Sequence, residues 1–167
     1  MSQDYLIRLY QRRETLMTQC IYIASPMKLP KGSFGSNPVS PKQPNIFRTE
    51  LDFTHLFFEN NYDSTIKRRF SYSSHFSYKH QVAAYANQIP LNNQIKGTAE
   101  EEKCLTILYN YMDEAIQNSQ VVEYFTSWDG EEDLALFKKR SIHWLDIKNP
   151  YDLVIEDREL WEILLWN

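Results

Sequence analysis

One segment of the chain repeats its apolar positions at helical spacing, while several others run them together or alternate them. From Thr98 onward, Cys104, Leu105, Leu108, Tyr109, Met112, Ala115 and Ile116 fall on one face of a 3.6-residue repeat. Thr98-Ala99-Glu100-Glu101 reads as a capping box, and Glu100, Glu101 and Glu102 suit the positive end of a helix. The spacing predicts a long helix over about 99–118. Cys20-Ile21-Tyr22-Ile23-Ala24 is a short run rich in β-formers and predicts a central strand. Val121-Val122-Glu123-Tyr124-Phe125-Thr126 predicts a second strand directly after the helix.

The remaining elements are shorter. Tyr5, Leu6, Leu9, Tyr10 and Leu16 share a helical face, with Arg8, Arg12 and Arg13 outside it. Residues 1–17 therefore read as a helical extension, and Met17 offers an alternative start. Residues 25–45 hold Pro26, Pro30, Pro38, Pro41 and Pro44 with Gly32 and Gly35, so a long loop without regular structure is expected. Strands are expected over 46–53, within 70–85, over 134–139, over 153–155 and over 160–166, with a C-terminal helix competing for the last. Asp63 or Ser64 is expected to cap a short helix to Arg69, and Ser141 a helical turn over 143–145. The strands do not alternate regularly with helices. The expected fold is therefore α+β: a mostly antiparallel sheet packed against one long helix, with short accessory helices.

A length of 167 residues suits one domain over 1–167. The 11 Tyr, 9 Phe and 4 Trp exceed what a core of this size needs, so some are expected at the surface, either for recognition or with their polar ends simply meeting water. No stretch approaches 18 apolar residues, so no membrane span is expected, and the charges within 1–17 break any signal-peptide core. Cys20 and Cys104 belong to no CxxC or Cys/His ladder. They read as free thiols in a reducing, cytoplasmic compartment.

Charge is unevenly spread. Residues 1–96 hold 12 Lys/Arg against 6 Asp/Glu, and residues 97–167 hold 6 against 16. Either the halves complement each other in the fold, or an acidic face meets a basic partner. Trp128-Asp129-Gly130-Glu131-Glu132-Asp133 is the densest acidic turn. It fails the EF-hand pattern, because Gly130 falls at loop position 2 and Arg140 at position 12. Lys67-Arg68-Arg69-Phe70 with Tyr72 and Phe76 has the make-up of a nucleic-acid surface, but the pI of about 5.6 argues against one. His75 and His80, five apart, would face opposite sides of a strand, and no GxSxG elbow accompanies them. No glycine-rich phosphate loop exists, and neither a cofactor nor a metal is expected.

Two segments carry a resemblance. Cys20-Ile21-Tyr22-Ile23-Ala24-Ser25 followed by Leu29-Pro30 resembles the opening of a group of small uncharacterised bacterial proteins. Glu123-Tyr124-Phe125-Thr126-Ser127-Trp128-Asp129-Gly130-Glu131-Glu132 resembles their second half, and Phe70-Ser71 sits where their middle strand begins. That group carries glycine–cysteine repeats where Val82-Ala83-Ala84-Tyr85 stands here, so no cysteine chemistry follows from it. The resemblance implies a bacterial source and no particular activity.

The expected function is that of a protein-binding module, an immunity or antitoxin-type inhibitor that neutralises a bacterial effector through an acidic aromatic surface. Trp128, Asp129, Glu131, Glu132 and Asp133 are its expected contacts, and a basic toxin or effector is its expected partner. The alternative is a small hydrolase using His75 or His80 with a carboxylate, and the third reading is a nucleic-acid-binding accessory protein.

Overall fold

The run at residues 20–24 is continuously apolar because both faces of its strand are covered. In the computed structural model, which describes residues 18–90 and 96–166, that run lies in β1 (Gln19–Ser25). It pairs antiparallel with β6 (His80–Tyr85) on one side and β7 (Val121–Trp128) on the other. The fold is α+β. A mixed seven-stranded sheet is completed by β2 (Gly32–Phe34), β3 (Leu56–Asn60), β8 (Lys138–His143) and β9 (Glu159–Leu164), in the order β2-β3-β6-β1-β7-β9-β8. Only β8 and β9 run parallel. A separate two-stranded ribbon joins β4 (Tyr62–Asp63) to β5 (Arg68–Arg69). Edge strand β8 exposes Lys138, Lys139 and Arg140, charges that discourage further strand pairing.

One face of the sheet carries the long helix. After a four-residue helical turn, α1 (Glu50–Phe53), the helix α2 runs Ala99–Ser119, close to the expected span. Thr98 caps it, its hydroxyl accepting from Glu101 N at 3.2 Å. Gln120 ends it in the left-handed region at φ 70°, returning its N–H to Ile116 O, and β7 begins at once. Leu105, Leu108, Met112 and Ile116 are fully buried against Ile21, Ile23, Val82, Val122 and Ile163. Each such side chain stabilises the fold by about 1.5–3 kcal/mol relative to exposure.

Among the described residues the other face is covered without a helix. Residues 70–79 and 130–137 cross it and pack Tyr72, Phe76 and Leu136 on Cys20, Tyr22, Phe125 and Leu160. Hydrogen bonds pin these two crossings together: Ser73 Oγ donates to Glu132 O at 2.6 Å, and Ser74 N to Asp133 Oδ1 at 2.7 Å. The buried carboxylate of Glu123 holds the first crossing to the sheet, Oε1 accepting from Ser77 N at 2.8 Å and Tyr78 N at 3.2 Å.

Several expected elements are replaced. Residues 46–53 form no strand, because Thr49 accepts from Asp52 N and starts α1 instead. The helix expected over 64–69 is the β4–β5 ribbon. Asp63 Oδ1 accepts from Thr65 N and Ile66 N, and Lys67 takes φ 54°, so the same cap residue makes a turn. Within residues 70–85 only β6 is a strand, since the N–H groups of Tyr72, Ser74, Ser77 and Tyr78 go to side chains. The Pro-rich loop contains β2, whose Gly32 has φ 108°. The strand expected over 134–139 lies at 138–143 and absorbs Ser141, and a 3-10 turn over Trp144–Asp146 follows. Residues 150–153 form a 3-10 turn capped by Asn149, in place of a strand over 153–155. The strand expected over 160–166 is β9, and the competing helix does not form there. The expected helix over 5–16 and the loop residues Asn92 and Asn93 lie outside the described residues. No described helix is long and apolar enough to cross a membrane.

Candidate functional site

Strand register builds a cleft at the start of β1, on the face away from α2. Tyr22, Ala83 and Glu59 are cross-strand neighbours on β1, β6 and β3, and Cys20 lies opposite Tyr85. The single methyl of Ala83 between Tyr22 and Glu59 leaves depth that larger neighbours would fill. The result is a cleft of about 530 Å³, within the size range of small-ligand sites.

Aromatic rings form much of its wall. Tyr72 crosses over Tyr22 with ring centroids 5.5 Å apart, and its hydroxyl donates to Glu59 O and Asn60 O, both at 3.0 Å. The α1–β3 connection supplies Phe53, His55 and Phe57. His55 Nδ1 lies 2.9 Å from Phe53 O, and the two rings meet edge to face at 5.3 Å. Phe53, Phe57 and Tyr85 are 52%, 56% and 68% exposed, so large apolar surface borders the opening.

Three carboxylates complete the lining: Glu59 from β3, and Asp129 and Glu132 from the turn after β7. Glu132 Oε2 is buried and has no hydrogen-bond partner among the described residues. Burial pushes the Cys20 thiol up to about 11; a hydrogen bond from Tyr22 opposes this, and Asp129 and Glu132 add to it. Burial also raises Tyr22, as do the charges on Cys20 and Glu132. At neutral pH the thiol and the phenol are therefore both protonated, and a protonated thiol is a poor nucleophile. The cleft offers negative charge, aromatic faces and neutral donors, which is an environment for a cation.

Of the expected contact residues, the fold brings Asp129 and Glu132 to this cleft. Trp128 closes β7, half-buried, and donates its N–H to Asp157 Oδ1 at 3.3 Å. Glu131 is half-buried, and its N–H closes the turn on Trp128 O at 3.0 Å. Asp133 turns to residues 70–79. Its carboxyl lies below the ordinary range because the backbone N–H and hydroxyl of Ser74 donate to it, with His75 adding to the effect. His75 and His80 have separate surroundings. His75 Nε2 meets Leu134 O at 2.7 Å, while His80 begins β6 at the opposite end of β1. No group of three or more His, Cys, Asp or Glu among the described residues is placed to hold a metal. Cys104 is buried in the helix face, donating to Gln88 Oε1 at 3.4 Å, and burial raises it to about 11.

Residue reading missed His55, Glu59 and Tyr85 as site residues and assigned Tyr72 to a basic aromatic surface instead. No local signal marks them, because cross-strand pairing and the crossing of residues 70–79 bring them together from distant parts of the chain. The fold and cleft together define an α+β protein with an aromatic, acid-lined cleft on the sheet face opposite α2. Neither protein-family models nor curated proteins nor solved structures give a match to the chain. The two segments that resemble a bacterial group lie side by side here, β1 pairing with β7 from Gln19–Trp128 to Ala24–Glu123.

Proposed function

We propose that this chain is a contact protein of the immunity or antitoxin type, and that its cleft receives a basic side chain of a protein effector. The observation that supports the reading is the convergence of Glu59, Asp129 and Glu132, whose Oε2 has no partner among the described residues, with the rings of Tyr22, Tyr72 and Phe57 in one concave site. A lysine or arginine entering it meets opposite charge and aromatic faces together. Such contacts are worth more in a partly desolvated cleft than on open surface. Glu131, on the same turn but outside the cleft, acts at the rim, where it steers encounter.

The test is co-expression with the product of the neighbouring gene, followed by calorimetry on the purified pair. A stoichiometric complex is expected. Glu132→Gln should weaken it at least about tenfold, the scale of one lost charge-assisted contact. Glu131→Gln, outside the cleft, should change affinity little and lower the association rate. No complex, or one indifferent to Glu132, would overturn the reading.

A further inference from the structure

A second cavity lies at the other end of β1 and has the opposite charge. It is also about 530 Å³, and it is lined by Lys28, Lys31, Tyr62, Arg69 and His80, with Asn60 and Gln81 between them. These residues come from four places in the chain. Lys28 and Lys31 follow β1, Tyr62 begins β4, Arg69 ends β5, and His80 begins β6 opposite Ser25.

Arg69 is held in place before any ligand arrives. Its Nη1 donates to Asn61 Oδ1 at 3.3 Å, and its guanidinium lies 5.8 Å from the Tyr62 ring centroid. Asn61 is itself fully buried and fixed, donating to Phe70 O and Lys79 O and accepting from Gln81 N. Among the described residues the single ion pair is Arg158–Asp157, so Lys28, Lys31 and Arg69 converge with no carboxylate in range. Asp63, the acid of the adjoining ribbon, has Oδ1 occupied by Thr65 N and Ile66 N. The effect of this unbalanced charge is felt at His80, which burial and then Arg69, Lys79 and Lys28 hold below the ordinary histidine range.

We infer that this cavity binds a small phosphate-bearing ligand, with Arg69, Lys28 and Lys31 taking its phosphate oxygens. A planar guanidinium fork matches two oxygens of a tetrahedral oxyanion, and two mobile ammonium groups reach the others. A cavity of about 530 Å³ has room for a diphosphate or for a phosphate carried on a larger molecule. Nucleic acid would need a basic stripe along its backbone path. Here the cations close on one pocket in a chain of net charge −4. The site is separate from the acidic cleft and independent of the function proposed for it.

The test is a titration of the full chain with inorganic pyrophosphate, followed by calorimetry and by the His80 imidazole resonances. Citrate and a short single-stranded oligonucleotide serve as the other probes. One-to-one saturable binding of pyrophosphate with a shift at His80 is expected, weaker for citrate. Lys28→Gln with Lys31→Gln, two exposed positions whose replacement leaves the fold alone, should weaken it by at least about tenfold. Glu132→Gln should leave it unchanged. The inference is overturned by non-saturable binding, by equal affinity for citrate, by an unaffected double variant, or by an oligonucleotide that binds where pyrophosphate does not.

Discussion

Glu123 ties residues 70–79 to the sheet, and replacing it separates two contributions that a single substitution would confound. The side chain is 3% exposed and accepts from Ser77 N and Tyr78 N. In Glu123→Ala both donors lose their acceptor. Each stranded N–H costs about 1–3 kcal/mol, and the exposed position of Ser77 returns part of that to water, so a loss of about 2–3 kcal/mol is expected. This is a large share of the about 5–15 kcal/mol typical of whole-protein stability. Glu123→Gln keeps an acceptor oxygen in the same place and removes a charge that faces Glu162 across the β7–β9 pair. Burial raises the Glu123 carboxyl above the ordinary glutamate range, against the pull of the two backbone donors and Lys139.

A raised folded-state value means that the carboxyl contributes its stability below the unfolded value and loses it as pH rises through the folded one. At pH 7 the glutamine variant should therefore equal or exceed wild type. Its advantage should shrink as pH falls toward the ordinary glutamate range. Urea unfolding followed by tryptophan fluorescence between pH 4 and 7 measures both effects. Equal stability of the alanine and glutamine variants at pH 7 would show that the two N–H bonds carry nothing. A glutamine advantage that does not vary with pH would show that burial of the charge does not set the titration.

Three further outcomes concern backbone and thiol positions. Gly35 has φ 95°, and a Cβ built on it would sit 2.2 Å from Ile107 Cδ1, whereas Gly130, at φ 87°, has nothing within 4 Å. Gly130→Ala should cost about 1 kcal/mol of strain and Gly35→Ala clearly more, as read by the urea midpoint. Cys20 and Cys104 are both buried with thiols raised to about 11. They should resist a thiol-reactive dye in native protein at pH 8 and both react after unfolding. By the same sign rule as for Glu123, they should make stability fall as pH rises from about 9 to 11, by up to about 1.4 kcal/mol per pH unit for each thiol.

The parts of the fold legible in sequence are those where one physical signal acts alone. The α2 face and its Thr98 cap could be read because a 3.6-residue repeat and a capping residue agree. The β1 run could be read because only a strand buried on both faces is apolar throughout. The misreadings fall where polar side chains compete for the backbone. Asp63 is as good a turn-former as a helix cap, and only the pairing of Tyr62 with Arg69 decides between them. Residues 71–79 have strand-like composition, yet their N–H groups are claimed by Gln81, Asp133 and Glu123, residues up to 59 positions away.

The charge asymmetry was legible in the same uneven way. The basic cavity draws all its cations from residues 28–80, so the surplus of the first half describes it directly. The acidic cleft is bipartite. Asp129 and Glu132 come from the acidic half, but Glu59, His55, Tyr72 and the floor of β1 come from the basic one. A half-chain sum therefore located the acidic turn while hiding the wall it faces. Antiparallel pairing sets the two sites at opposite ends of β1. Cys20 stands beside Ser127 and Tyr85, two residues before the acids and on the strand that ends at the cleft, while Ser25 stands beside His80. A strand paired this way carries its first residues to one end of the sheet and its last to the other. Charge separated along the sequence thus becomes charge separated in space along β1, from the Cys20 end to the Ser25 end.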